Sequence, residues 1–291
     1  MTETPAIIVV GSPHYDVMVD APHRPAKSET VTGSRWYPNF GGKGGNQAVA
    51  TRAQGASVHM VSAVGTGDFA AFMLEKLRDA GIANHWVARL PDCPTGMSMA
   101  VSDAGGDYGA VIVSGADLGI DAWGLAEAKL WSGAGLLLLQ NEVPEALNTA
   151  AASPARARGL RVCLNAAPAR DLPPILLALT DILIVNALEA EALGGLPVPD
   201  LAAAQAAALA LLARVPVVIV TAGGDGVALA DRTGAALALP AEPLALLSTH
   251  GAGDTLVGAF CASLMAGARP EAALMVANHQ DGLYVSRPQQ V

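Results

Sequence analysis

The segment Gly251-Ala252-Gly253-Asp254 combines a glycine turn with a carboxylate at the start of a helix-like stretch, Asp254–Ala266. Successive backbone N–H groups at a helix N-terminus form an anion site, which suits a phosphoryl group whose charge is spread over its oxygens. An ionised Asp254 beside that site can accept the proton of an attacking hydroxyl, and we expect the helix dipole to keep it ionised. The same residues also fit a plain turn with Asp as the N-terminal cap, so this motif alone leaves both interpretations open.

Residues 41–46 form a second cluster, Gly-Gly-Lys-Gly-Gly-Asn, which leads into the predicted helix Asn46–Gln54. The cluster is not a P-loop, because a glycine stands where Ser or Thr would follow the lysine. It is not a dinucleotide fingerprint either, because Gln47 occupies the place of the third glycine. The glycines do allow a polar ligand to approach the backbone closely. The expected ligand contacts in this cluster are Gly42, Lys43 and Asn46.

Polar side chains also follow several predicted strands, where open α/β sheets bind their ligands. Asp16 follows the first strand, and Glu142 follows the strand Leu136–Leu139. A carboxylate at Asp16 can accept hydrogen bonds from a sugar diol. Asn186 and Glu189 share one face of a first helical turn, where Glu189 could order Mg²⁺ through water. Each of these signals is weak alone and is also compatible with an ordinary loop or cap.

The turn Thr221–Gly226 lies between two apolar runs and either contacts a nucleotide or is simply a hairpin turn. The three histidine or cysteine patterns that mark zinc sites do not occur, since there is no HExxH, paired-His or CxxC spacing.

Short apolar runs alternate with helix-like stretches, which predicts a three-layer, doubly wound and mostly parallel α/β sheet. The predicted strands are Ile7–Val10, Val58–Val64, Leu136–Leu139, Val162–Asn165, Ile182–Val185 and Val217–Val220. The predicted helices are Asn46–Gln54, Phe69–Ala80, Asp121–Lys129, Leu188–Leu193, Leu201–Ala213 and Asp254–Ala266. The strand-like stretch Val31–Phe40 and a predicted hairpin, Met97–Ser102 with Tyr108–Val113, fall outside this alternation and predict a small separate sheet that covers a cleft.

Composition narrows the class of protein. The chain has 291 residues, of which 52% are hydrophobic, and a net charge of −9. That apolar content excludes a disordered chain, and scattered basic residues in an acidic protein argue against nucleic-acid binding. Neither a signal peptide nor a membrane span is evident, so we expect a cytoplasmic protein.

Taken together and in this order, the motifs resemble the ribokinase (PfkB) family of carbohydrate kinases. The most specific matches are Gly-Gly-Lys-Gly-Gly-Asn-Gln-Ala at 41–48 and Gly-Ala-Gly-Asp at 251–254, and the resemblance extends from Gly11 to about Arg287. Leu-Gln-Asn-Glu-Val-Pro at 139–144, Leu-Asn-Ala-Ala-Pro-Ala at 164–169 and Ser28-Glu29-Thr30 are similar to the family as well. The resemblance implies one domain over 1–291, a β-sheet lid built from insertions around 12–40 and 93–113, and a homodimer through the lids.

The resemblance also implies a reaction, in which ATP with Mg²⁺ phosphorylates the primary alcohol of a small sugar. Asp254 would be the base, and the N–H groups of Gly251, Ala252 and Gly253 would form the anion hole. The implied sugar contacts are His14, Asp16, Gly42, Lys43, Asn46 and Glu142. The implied nucleotide and Mg²⁺ contacts are Asn186, Glu189, Thr221, Gly223, Gly226 and, by position rather than motif, Asn278.

The chain departs from the family pattern at several points. His14 stands where the family usually has an Asn that binds the sugar, which puts ribose itself in question. Ser248 replaces an Asp that helps to hold an activating monovalent cation, and residues 287–291 lack a glycine and further cation ligands. We therefore expect weak or absent potassium activation. In Val64–Asp68, Gly67 takes the place of the family's Asp.

Two alternatives remain open at this point. One is a nucleoside kinase of the same fold, in which His14 meets a base or an altered ribose. The other is a ribokinase-fold sugar-binding protein with little turnover, although Asp254, Asn186 and Glu189 argue against it. A nicotinamide oxidoreductase is a distant third, because the chain has no dinucleotide fingerprint.

Overall fold

The computed structural model describes residues 4–103, 108–194, 196–244 and 251–287. Its strands are β1 (Ala6–Val10), β2 (His14–Asp20), β3 (Arg35–Gly41), β4 (Val58–Val64), β5 (Val87–Arg89), β6 (Met97–Ser102), β7 (Tyr108–Val113), β8 (Ala134–Gln140), β9 (Arg161–Asn165), β10 (Ile182–Asn186), β11 (Val217–Thr221), β12 (Val227–Asp231) and β13 (Ala236–Leu239). Its α-helices are α1 (Lys43–Ala53), α2 (Asp68–Asp79), α3 (Trp123–Ala126), α4 (Ala128–Trp131), α5 (Glu145–Ala157), α6 (Pro174–Leu179), α7 (Ala187–Gly194), α8 (Leu201–Leu211), α9 (Ala252–Met265) and α10 (Pro270–Val285).

Nine strands form the main sheet in the order β13-β12-β11-β10-β9-β8-β1-β4-β5. The strands from β11 to β5 pair in parallel, and β12 and β13 add an antiparallel edge. The central strands are continuous apolar runs because both faces of the sheet are covered. In β1, Ile8 and Val10 belong to the core layer that α5, α6, α7 and α8 also enter, whereas Ile7 and Val9 belong to the opposite layer, with α1, α2, α9 and α10. This is the three-layer arrangement that the alternation predicts.

All six predicted strands are present, but the predicted helix Asp121–Lys129 is wrong. Two one-turn helices, α3 and α4, replace it, and Glu127 between them has an extended backbone (φ −76°, ψ 117°). The break lets Leu125 and Trp131 both reach the core, where the Trp131 indole Nε1 donates to the Leu125 carbonyl at 2.9 Å. Packing therefore overrides the local helical pattern.

Other boundaries and elements also differ from the prediction. The strand expected from Val31 begins only at Arg35. Sequence analysis missed β2, β5, β13, α5, α6 and α10. Prolines open α6 and α10, and Pro154 lies inside α5, so these helices lack an uninterrupted pattern.

A second sheet, in the order β3-β2-β6-β7, has four strands. β6 and β7 form the antiparallel hairpin that the sequence predicts, and its turn at 104–107 lies outside the described residues. Residues paired across the sheet share a face, so Asp16, Ser98 and Ile112 lie on one side. The next row, Val17, Met99 and Val111, lies on the other side. We call these the inner and outer faces of the small sheet.

No helix in the described ranges is both long enough and apolar enough to cross a bilayer.

Candidate active site

The N-terminal ends of α9 and α1 meet at Asp254. Gly251, which precedes α9, has a left-handed backbone (φ 79°), a conformation that glycine adopts without strain. Asp254 is buried in the first turn of α9. Its two carboxylate oxygens accept hydrogen bonds from α1, one from Asn46 Nδ2 at 3.2 Å and one from Gln47 Nε2 at 2.8 Å. The two glycine motifs of the sequence therefore belong to one site.

The sequence predicts that the helix dipole keeps Asp254 ionised, and the structure adds burial as an opposing influence. Burial raises the pKa of Asp254, although Lys43 and the amides of Gln47 and Asn46 act in the opposite direction. Desolvation of the carboxylate outweighs the stabilising contacts around it. A raised pKa suits a general base, because it strengthens the affinity of the carboxylate for a proton.

A cavity of about 230 Å³ lies between Asp254 and the inner face of the small sheet. All six residues that the sequence proposes for the sugar line it. Its lining is His14, Asp16, Gly42, Lys43, Asn46, Ser98, Ala100, Ala110, Ile112, Glu142, Pro168, Gly251 and Asp254. The small sheet thus contributes both apolar side chains and the polar residues Asp16 and Ser98, while α1 and α9 contribute Asn46 and Asp254.

Neighbouring polar groups hold two carboxylates of this cavity, Asp16 and Glu142, in place. Ser98 Oγ donates to Asp16 Oδ1 at 2.6 Å. Glu142 Oε2 accepts from Ser12 Oγ at 2.5 Å and from the backbone N–H of Lys43 at 2.7 Å. Gly41 has no room for a side chain, since a Cβ there would collide with the Asp16 carboxylate. The carboxylates are therefore fixed before any ligand binds.

His14 forms a buried pair with Asp117 at one wall of the cavity. His14 Nε2 lies 2.7 Å from Asp117 Oδ2, and the two side chains are 2% and 0% exposed. Burial lowers the pKa of His14, but the hydrogen bond to Asp117 and the nearby carboxylates outweigh it and raise that pKa. Burial raises the pKa of Asp117 to about 6. Nε2 is the donor whenever Asp117 is ionised, which leaves Nδ1 as the polar atom of His14 with no partner among the described residues.

A second cavity, of about 340 Å³, adjoins the first and shares Lys43, Gly251 and Asp254 with it. Asn186, Glu189, Thr221, Gly223 and Gly253 line this second cavity, as the sequence proposes. Two glycines of this cavity face open space, because a Cβ on Gly223 or Gly253 would meet no atom within 4 Å. Backbone N–H groups at such open glycines fit a polyphosphate chain.

Asn186 and Glu189 close a reciprocal cap at the start of α7. The Asn186 backbone N–H and Nδ2 donate to the two Glu189 oxygens at 2.8 and 3.0 Å, and the Glu189 N–H donates to Asn186 Oδ1 at 2.9 Å. Burial raises the pKa of Glu189. Each carboxylate oxygen keeps a further lone pair, so the group can still accept a hydrogen bond from a water on Mg²⁺.

Two of the residues that the sequence proposes for the nucleotide do not line the second cavity. Gly226 packs against the end of β13 and the chain after it, where a Cβ would collide with the Leu239 carbonyl, so the position has no room for a side chain. Asn278 donates from Nδ2 to the Pro240 carbonyl at 3.1 Å and lines neither cavity. Ser248 and His250 lie outside the described residues.

Sequence reasoning missed several side chains that build the site. Ser98, on β6 of the small sheet, donates to Asp16. Asp117, in the segment that follows β7, pairs with His14. Arg170 Nη1 donates to the carbonyls on both sides of Glu142, those of Asn141 at 3.1 Å and Val143 at 2.7 Å. The sequence signal for these side chains is a polar residue within an otherwise apolar segment. That signal does not identify the residue it contacts, because the two are far apart in the sequence.

Two adjoining cavities meet at a buried carboxylate on a helix N-terminus, which is the arrangement expected of a phosphotransferase. Residues 5–289 match the family described as pfkB family carbohydrate kinase, and the chain belongs to that family.

The chain is 34% identical to the ribokinase of Mus musculus, over 89% of this chain and 81% of that protein. It is 32% identical to the ribokinase of Bacillus subtilis (strain 168), over 96% of this chain and 92% of that one. The solved structure of Arabidopsis thaliana ribokinase complexed with ribose and ATP superposes with a TM-score of 0.87 at 28% identity, covering 97% of this chain and 93% of that chain. The protein is an ATP-dependent carbohydrate kinase of the ribokinase fold.

Proposed function

We propose that this kinase transfers the γ-phosphoryl group of ATP to a primary hydroxyl of a small, uncharged sugar, ribose-like in size. The observation that carries the proposal is the position of Asp254, which faces both cavities at their junction. The sugar-side lining includes Asp16 and Glu142, so a sugar acid or a sugar phosphate would meet like charges there. The related structure from Arabidopsis, which holds ribose and ATP, supports the same class of substrate.

Each part of the site has a role in this reaction. Asp16 and Glu142 accept hydrogen bonds from sugar hydroxyls, and Asn46 can act as donor or acceptor. Asp254 receives the proton of the primary hydroxyl as its oxygen attacks. The N–H groups of Gly251, Ala252 and Gly253 stabilise charge that develops on the phosphoryl oxygens.

ATP supplies the phosphoryl group, and Mg²⁺ supplies charge neutralisation of the phosphate chain. Lys43, Asn186, Glu189, Thr221 and Gly223 would hold these two groups, with Glu189 acting on Mg²⁺ through water. Without the Asp at position 248, we propose that a monovalent cation contributes little to turnover.

The His14–Asp117 pair sets the finer substrate choice. An amide at this position would offer both a donor and an acceptor, whereas His14 offers only Nδ1 once Nε2 is committed to Asp117. We therefore propose that the preferred sugar differs from ribose at the hydroxyl nearest His14, or that it carries an added group there, as a nucleoside does.

The test is a substrate panel of ribose, 2-deoxyribose, ketohexoses and nucleosides, each assayed for ADP formation with and without potassium. We expect sugar-dependent turnover, a potassium effect below about threefold, and a preferred substrate other than ribose. In His14→Asn the ratio of kcat/KM for ribose to that for the preferred substrate should rise by about tenfold, the value of one hydrogen bond. Sugar and ATP binding with no turnover would instead favour the binding-protein alternative.

We also propose that two copies pair through the outer face of the small sheet. Trp36 and Val111 on this face are each 64% exposed, and Met99 and Val113 are about half exposed. Val111 lies in register with Met99 and, through it, with Val17, so the exposed side chains form a continuous apolar patch. Patches of this kind mark interfaces, and a second copy presents the same patch.

Val111→Asp should therefore convert a dimer into a monomer, because it buries a charge within that interface. Sedimentation velocity measures the state directly. Leu209→Asp is the matched control, since Leu209 is 50% exposed on α8 in the main layer and should leave the dimer intact. A monomeric wild type, or a dimeric Val111→Asp protein, would exclude pairing through this face.

A further inference from the structure

A chain of three buried amides leads from the main sheet to the carboxylate of Asp254. Gln140, at the end of β8, donates from Nε2 to Gln47 Oε1 at 2.8 Å. Gln47 Nε2 donates one hydrogen to Asp254 Oδ1 at 2.8 Å and the other to Asn165 Oδ1, at the end of β9, at 2.9 Å. Gln47 and Gln140 are both fully buried. Two strands of the sheet, β8 and β9, thus hold the α1 side chain that contacts one oxygen of the base.

The partners of Gln47 fix which way its amide points. Asn165 Nδ2 is already used on the Ile184 carbonyl at 3.1 Å, so Asn165 presents its oxygen to Gln47. Gln140 presents its N–H₂ group. A reversed Gln47 amide would place its oxygen against two acceptors and its nitrogen against a donor, which costs every hydrogen bond it makes. The donor face of Gln47 is therefore locked toward Asp254.

Gln47 lines neither of the two cavities, which are the one of about 230 Å³ proposed for the sugar (the sugar cavity) and the one of about 340 Å³ proposed for the nucleotide (the nucleotide cavity). Its connection to the sugar side runs through Asp254, whereas its other acceptor, Asn165, lines the nucleotide cavity. Asn46 differs, because it lines the sugar cavity itself and donates to the other oxygen of the base.

We propose that Gln47 is a positioning residue for the base, which holds Asp254 Oδ1 in its ionised form and leaves Oδ2 directed to the acceptor hydroxyl. This inference rests on the proposed function. A hydrogen bond to the charged form of a carboxylate favours that form, and Gln47 acts in this direction on the pKa of Asp254. The charged groups that also act on Asp254 are Lys43 on α1, Glu142 after β8 and Glu189 on α7. They stay in place when Gln47 alone is changed.

The experiment compares the pH dependence of kcat/KM in wild type, Gln47→Leu and Gln47→Glu, with the best sugar of the substrate panel. Gln47→Leu removes the donor at similar volume, so the acid limb should move up by about one pH unit. Gln47→Glu places a second carboxyl beside the base and should move the limb further in the same direction. In both variants kcat should fall by about tenfold or more at pH 7, while KM for the sugar changes by less than about threefold, because Gln47 does not contact it.

Asn148→Leu is the matched control. Asn148 is also a buried amide, but its Nδ2 donates to the Gln140 backbone carbonyl at 2.7 Å and does not contact the side-chain relay. It should lower the melting temperature without moving the acid limb. If Gln47→Leu does not fold, Gln47→Glu, which keeps the shape of the side chain, carries the test.

An acid limb in the folded Gln47 variants that coincides with that of wild type would overturn the inference, and so would an equal shift in Asn148→Leu. A wild-type protein without sugar-dependent turnover would instead overturn the proposed function, before any variant is compared.

Discussion

Asp254→Asn should lower kcat by about 10²–10⁴-fold, the usual cost of losing a positioned general base. Asn has almost the same shape as Asp, but its amide cannot accept a proton from the attacking hydroxyl. The KM for the sugar should change little, because Asp16 and Glu142 remain held by Ser98, Ser12 and the Lys43 N–H. The measurement is steady-state ADP formation with the best sugar at saturating ATP.

The folded state should tolerate this change. Burial opposes ionisation of Asp254, so a neutral amide at the same place relieves a desolvation cost, and the melting temperature should stay the same or rise. Glu191→Gln, an exposed carboxylate on α7, is the matched control and should keep wild-type kcat. Turnover by Asp254→Asn within tenfold of wild type would show that another group takes the proton.

Gly44→Ala should lower the free energy of unfolding by about 3 kcal/mol and the melting temperature by about 6–10 °C. Gly44 lies in the first turn of α1, directly against the end of β1, where an added Cβ would lie 2.5 Å from the Gly11 carbonyl carbon and 2.6 Å from Ser12 N. Both of these atoms are backbone, so neither can move aside without displacing the strand or the helix. The kcat/KM should fall by about 10²-fold, because α1 carries Lys43, Asn46 and Gln47 into the site.

Gly55→Ala is the control that measures the general cost of replacing a glycine by alanine, without the clash against the backbone of Gly11 and Ser12. Gly55 follows α1 and has a left-handed backbone (φ 86°), but a Cβ there would meet no atom within 4 Å. It should cost about 1 kcal/mol from backbone strain and leave kcat/KM unchanged. Differential scanning calorimetry and the kinase assay on both variants give the comparison. A Gly44→Ala protein that melts and turns over like Gly55→Ala would contradict the packing argument.

The sequence predicted those parts of the fold and site that depend on local pattern. Continuous apolar runs such as Leu136–Leu139 and Val217–Val220 identified the buried strands, because a parallel sheet covered on both faces excludes polar side chains. Glycine clusters at 41–45 and 251–253 identified the two helix ends that meet at Asp254. The spacing of Asn186 and Glu189 correctly placed both side chains on one turn, where they cap each other.

The parts that failed depend on contacts between residues far apart in the chain. The packing of Leu125 and Trp131 broke the expected helix at Glu127, and no pattern within that segment indicates the break. Likewise, nothing near His14 indicates Asp117, which lies 103 residues away, and nothing near Gln47 indicates Gln140. The motif match assigned Gly226 to the nucleotide site, whereas in the structure Gly226 lies against the end of β13 and the backbone after it.

The most direct test of the proposed function is to identify which carbon of the product carries the transferred phosphoryl group. Wild-type protein is incubated with ATP, Mg²⁺ and the best sugar of the panel, and the product is analysed by proton-coupled ³¹P nuclear magnetic resonance. We expect a phosphomonoester whose phosphorus signal is split into a triplet by the two protons of the CH₂ group, with ADP formed in equal amount. A doublet, which marks phosphate on a secondary carbon, or ADP and free phosphate without any sugar phosphate, would contradict it.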